Sequence, residues 1–135
     1  MALALLLAPL LALPRPDSPA AAQEAIPNAP DLSAVTTKAA ARKLARQGRL
    51  VEISLFPTEL GGPDDPMNRT WTTPEAADAR DMVIGTLRRF AEDGLIDQLK
   101  VSPEYKGDSI VPSRIVISGT HSGQEGSIDL AIEVW

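Results

Sequence analysis

Two groups of side chains have the types and proximity that chemistry requires. The single histidine, His121, lies close to Ser118, Ser122 and Glu125, so a hydroxyl nucleophile, a base and a carboxylate share one short stretch. An imidazole oriented by a carboxylate activates a hydroxyl only when rigid elements hold the three in line. These residues fall in or beside the Gly-containing connection from Thr120 to Gly126, where a solvated loop histidine is the simpler account. Asp64, Asp65 and Asn68 offer the hard oxygen ligands that Mg²⁺ or Ca²⁺ takes. Their spacing is not that of a calcium loop, and Pro63 and Pro66 explain a turn there without a cation.

Several chemistries are excluded by residue type. The chain has no cysteine, hence no thiolate metal site, redox pair or sulfur nucleophile. No glycine loop ending in Lys-Ser or Lys-Thr is present to cradle phosphates. Glu104, Tyr105, Lys106 and Asp108 make a further polar cluster that reads as a turn. The net charge of −5 conceals an asymmetry: Lys38, Arg42, Lys43, Arg46 and Arg49 form an acid-free basic segment. From Leu50 onward there are 15 acids against 7 bases, a balance of −8. Phosphate neutralisation needs a positive surface, so the acidic body argues against a general nucleic-acid binder.

These side chains must be positioned by a domain that spans residues 31–135. An Ala-rich helix is expected over Leu32 to Gln47, with Gly48 as its left-handed stop. Lys38, Arg42 and Arg46 then follow each other at i, i+4 and line one face. That stripe suits the negative end of the helix dipole, which is the leading account; an anionic membrane surface, a nucleic acid or an acidic partner are the alternatives. Arg49 to Phe56 alternates as a strand that Pro57 closes. Thr58 to Thr72, with Gly61-Gly62-Pro63 and Asp64-Asp65-Pro66, is expected to be an irregular loop. Thr72-Thr73-Pro74-Glu75 marks the start of a helix running to Asp93, with Ala76, Ala79, Val83, Leu87 and Phe90 as its buried stripe. Strand patterns follow at Asp97 to Val101, Ser113 to Gly119 and Ser127 to Trp135. The expected fold is α+β in the order α-β-α-β-β-β: one mostly antiparallel sheet of about four strands, with both helices on one face.

Ahead of this domain stands the apolar run Ala2 to Leu13, then Ala20-Ala21-Ala22 before Gln23. This looks like a secretory signal over residues 1–22, followed by a disordered linker over 23–30 rich in polar and small residues. It predicts a periplasmic or secreted protein; a cytoplasmic protein with a disordered N-terminus is the other reading. The run falls short of the roughly 20 apolar residues a membrane span needs.

The stretch from Ser54-Leu55-Phe56-Pro57 through Leu60-Gly61-Gly62 to Asn68 resembles a segment of secreted bacterial DNA/RNA non-specific endonuclease toxin domains of the His-Me finger type. The similarity continues through Met82 to Asp93, Gly94, Val101 to Tyr105 and Pro112 to Ile115, and covers roughly Val51 to Ile117. It implies that Asn68 helps to hold a metal and that Gly61 and Gly62 form the turn. It also places Ser54 where that family has its general-base histidine. A serine hydroxyl without its own base cannot take a proton near neutral pH, whereas imidazole can. The leading expectation is therefore an exported, non-enzymatic binding domain, a catalytically silent relative of such nucleases. Met67 and Trp71, large apolar residues in a polar loop, are its candidate protein contacts. The alternatives are a metal-dependent nuclease or hydrolase using Asn68 and the nearby carboxylates, and an acidic immunity or regulatory partner of a toxin.

Overall fold

The structure is a computed structural model describing residues 29–135. The leader and residues 23–28 of the linker lie outside the described residues.

The first helix, α1, spans Lys38–Arg46 and starts six residues later than the composition suggested. Leu32 to Val35 instead forms a turn, with the Asp31 carboxylate accepting from the Ser33 N–H. The β-branched run Val35-Thr36-Thr37 then supplies the cap, Thr37, whose hydroxyl accepts from the Ala40 N–H at 3.1 Å. At the other end Gly48, at φ +73°, lets Arg49 N–H reach back to Leu44 C=O at 2.9 Å.

Strand β1, Val51–Ser54, pairs antiparallel with β2, Arg69–Thr72. The expectation of an irregular loop through Thr72 is thus corrected. The turn signals act over residues 55–68, but Thr70-Trp71-Thr72 are strand formers and return to pair with β1. Helix α2, Pro74–Glu92, follows with the anticipated start: the Thr73 hydroxyl accepts from Ala76 N–H, Pro74 opens the first turn and Glu75 lies in it. Strands β3 (Gln98–Glu104), β4 (Arg114–Thr120) and β5 (Ile128–Glu133) form an antiparallel meander.

The fold is α+β, with two sheets of two and three strands instead of one sheet of four. β1 pairs with β2 and with no strand of the β3-β4-β5 meander. The core unites Leu50 beside β1, Leu87 of α2, Ile115, Ile117 and Ile132 of the meander, and Val111. Leu32 and Val35 are buried with them, and their carbonyls accept from Ser109 Oγ at 2.8 Å and Ile110 N–H at 2.9 Å. No helix among the described residues is long and apolar enough to cross a membrane.

Candidate functional site

The loop between β1 and β2 carries Asp64, Asp65, Met67 and Asn68, and it is held by side chain to backbone bonds. Asn68 adopts the role of one more ladder rung: its Oδ1 accepts from Phe56 N–H at 2.8 Å, and its Nδ2 donates to Phe56 C=O at 2.9 Å. Nδ2 also donates to Pro63 C=O at 3.0 Å, while the Asn68 carbonyl accepts from Leu55 N–H. Both amide donors are therefore consumed in closing the loop. Gly62 completes the closure, because a Cβ there would come within 2.3 Å of the Phe56 carbonyl oxygen.

The two aspartates serve the same loop in different directions. Asp65 caps the short turn at Pro66–Asn68 by accepting from Met67 N–H at 2.8 Å. Asp64 turns to Arg69 at 2.9 Å, and Arg69 also holds Glu52 at 3.2 Å. Asp64, Asp65 and Asn68 are thus brought near one another in the chain but bonded to three different groups. Among the described residues no three His, Asp or Glu side chains gather as a metal-ligand set.

Ser54 ends β1 and faces α2. Its hydroxyl and its carbonyl both accept from Nη2 of Arg80 at 2.8 Å. Arg80 is only 6% exposed, with Glu59 at 3.9 Å and Asp81 at 4.0 Å from its guanidinium nitrogens. Ser54 and Asn68 therefore do not point at a common groove; one is tied to the helix and the other to Phe56. Sequence reasoning missed Arg80. Its only signal is position, four residues from both Ala76 and Ile84, which puts a cation on the stripe that buries them.

The two candidate contact residues separate. Met67 is 91% exposed at the loop's tip, whereas Trp71 is half-buried against the core. Lys38, Arg42 and Arg46 are all exposed along α1, as the helical spacing required, and no ion pair links them to another described residue.

At the other end of the molecule His121 lies at the start of the β4–β5 connection. Its Nδ1 accepts from Gly123 N–H at 2.9 Å, so the neutral ring carries its proton on Nε2, 4.0 Å from Asp97 Oδ2. Asp97 also accepts from the Ser122 hydroxyl and, at 2.9 Å, from Ser122 N–H. Serine and histidine both address the carboxylate and neither addresses the other, so the hydroxyl has no base. This is a loop anchor. Hydrogen bonds from Ser122 lower the Asp97 carboxyl below its ordinary value. A carboxyl with a depressed folded-state pKa stabilises the fold above the unfolded value of about 4 and loses that contribution as pH falls through the folded one. The Ser122 amide, which donates to Asp97, is accordingly expected to lose protection below about pH 4, and Asp97→Asn to remove most of that acid sensitivity. A Ser122 amide with the same protection factor by NMR hydrogen exchange at about pH 5 and about pH 2.5, on either side of the ordinary carboxylate value, would sink the anchor.

No family model, curated protein or solved structure matches the chain.

Proposed function

We propose that this chain is a non-enzymatic binding domain, exported by its apolar leader, and that the β1–β2 loop is its contact with a protein partner. The observation that carries this reading is a fully solvated Met67 on a closed loop. Exposed thioethers adapt to apolar pockets, and a loop already fixed by Asn68, Asp65, Gly62 and the Arg69 ion pairs loses little further entropy on binding. Asp64 and Asp65, both exposed, stand just before Met67 in the chain, so the fitting partner offers an apolar pocket with cations on that side.

Kinship with the endonuclease toxin domains, as a catalytically silent relative, remains part of the proposal. Its basis is the order of β1 ending at Ser54, the Gly61-Gly62 turn, Asn68, α2 with Gly94 after it, β3 and β4; β2, between Asn68 and α2, is an element the resemblance did not include. Against activity stands the use of each group. The Ser54 hydroxyl accepts from an arginine, which cannot act as a base in proteins.

A photo-crosslinking residue at position 67, introduced in the cell that makes the protein, is expected to yield one dominant protein adduct. The same probe at exposed Lys100 should not give it. Met67→Glu should reduce formation of that adduct, probed from exposed position 66, by about tenfold or more, the scale of one lost anchor. Indistinguishable adduct patterns from positions 67 and 100 would count decisively against the loop.

A further inference from the structure

The three-stranded sheet ends on β5, and among the described residues nothing pairs with that strand's outer side. Val134 N–H donates to Ser113 C=O at 2.9 Å. In the antiparallel β4–β5 register, alternate residues back along the strand, Ile132, Leu130 and Ile128, likewise turn their backbone groups toward β4. Asp129, Ala131 and Glu133 therefore direct N–H and C=O outward, and all three residues are exposed. Such an edge is a template for another strand. The opposite edge, β3, is interrupted by Pro103 and carries Lys100, two features that blunt an edge. β5 contains no proline.

The β5 edge also borders an open groove of about 640 Å³ lined by Pro30, Leu32, Ala76, Ala79, Ile132 and Val134. A strand added to β5 would alternate its side chains between two sides. One set would lie on the side of Ile132 and Val134, where the apolar lining is. The other would lie beside Asp129, Ala131 and Glu133.

A second copy of the chain is disfavoured in the register centred on Ala131. Antiparallel pairing about a twofold axis at Ala131 sets Asp129 against Glu133 of the copy, and the reverse, acid opposite acid. The same carboxylates favour a strand that carries cations at those two positions. Glu133 is shared with Arg114 at 2.8 Å, but the partners of Asp129 are hydroxyls, Ser118 and, at 3.0 Å, Ser127. At the groove itself Glu75 and Glu133 outnumber Arg49.

We propose that the β5 edge and its groove capture an extended segment of a partner protein by strand addition, with Lys or Arg opposite Glu133 and Asp129 and apolar residues opposite Ile132 and Leu130. The pattern is basic, apolar, any, apolar, basic. Main-chain hydrogen bonds supply the attachment and the alternating side chains the selection. This surface is separate from the Met67 loop and does not rest on the reading of that loop.

The test uses the full chain and a fluorescein-labelled peptide, Gly-Lys-Val-Thr-Val-Lys-Gly, followed by anisotropy and by amide shifts. Saturable binding is expected, with shifts centred on Asp129 to Glu133. N-methylation of the peptide threonine, which faces Ala131, removes an edge hydrogen bond and is expected to weaken binding about tenfold. Ala131→Pro removes the outward N–H while leaving the β4 ladder its donors, and should do the same. Should that variant fold poorly, charge exchange decides: Asp129→Lys is expected to weaken the lysine peptide about threefold and to improve binding of Gly-Glu-Val-Thr-Val-Glu-Gly by a similar factor. Any of four results would overturn the proposal: no binding at millimolar peptide, equal binding of the glutamate peptide to the native chain, indifference to N-methylation, or shifts on β3. Slow hydrogen exchange at Asp129, Ala131 and Glu133 in the peptide-free chain would do so too, because the edge would already be paired.

Discussion

Arg80→Ala is expected to lower the unfolding free energy by about 2–4 kcal/mol, a large share of the roughly 5–15 kcal/mol that holds a domain of this size. The loss has two sources. The Ser54 carbonyl and hydroxyl, both served by one guanidinium nitrogen at 2.8 Å, are left unpaired in a half-buried position. The arginine's aliphatic stem, nearly all of it out of water, also leaves a void between α2 and the end of β1. Arg80→Met separates the two, since it keeps the stem and removes the donors; about half the loss should remain. The acids contribute little by comparison. Glu59 and Asp81 stand at 3.9 and 4.0 Å with exposed side chains, so Glu59→Gln should cost under about 1 kcal/mol. Urea unfolding measures all three. An alanine variant within about 0.5 kcal/mol of the native chain, the ordinary range for surface substitutions, would mean that the guanidinium does not join α2 to β1.

Arg80 also illustrates why part of the fold was legible in sequence and part was not. Helix α2 was readable at both ends because its signals are local: Thr73 and Pro74 at the start, Gly94 at φ +73° at the stop. The alternation of Ile128, Leu130 and Ile132 was likewise local, and β5 was found close to its true bounds. The partition into two sheets was not, because β2 is only four residues long and follows a stretch dominated by Gly and Pro. Its partner is β1 across the whole loop, and nothing within Arg69–Thr72 announces that pairing. Arg80 was hidden for a related reason. A cation reads as solvent-facing, and the groups that make its burial tolerable belong to Ser54, 26 residues away. The chemistry of Ser54, Asp64, Asp65 and Asn68 was not legible, because their bonding partners are set by the tertiary fold: Ser54 accepts from Arg80, Asp64 pairs with Arg69, and Asp65 and Asn68 hold backbone.

Asn68 is where those two readings make opposite predictions. As a clamp, its amide must accept from Phe56 N–H and donate to the carbonyls of Phe56 and Pro63. Asn68→Ala is expected to cost about 2–4 kcal/mol, because the Phe56 groups lose partners in a half-buried loop that water reaches only partly. Asn68→Asp should cost at least as much, since a carboxylate can still accept from Phe56 N–H but sets negative oxygens against two carbonyls that need donors. A metal ligand behaves the other way round. Aspartate is the harder and more strongly bound ligand for Mg²⁺ or Ca²⁺, so Asn68→Asp would then be stabilised by millimolar cation and would keep whatever cation-dependent DNA or RNA cleavage the native chain has. Urea unfolding of the native chain, Asn68→Ala and Asn68→Asp, with and without Mg²⁺ and Ca²⁺ and alongside a nuclease assay, decides between them. The geometry favours the clamp: both variants destabilised, neither rescued by cation, and no cleavage by the native chain. Rescue of Asn68→Asp by either ion, or cleavage that survives in it, would make Asn68 a metal ligand and favour the metal-dependent nuclease alternative over the clamp.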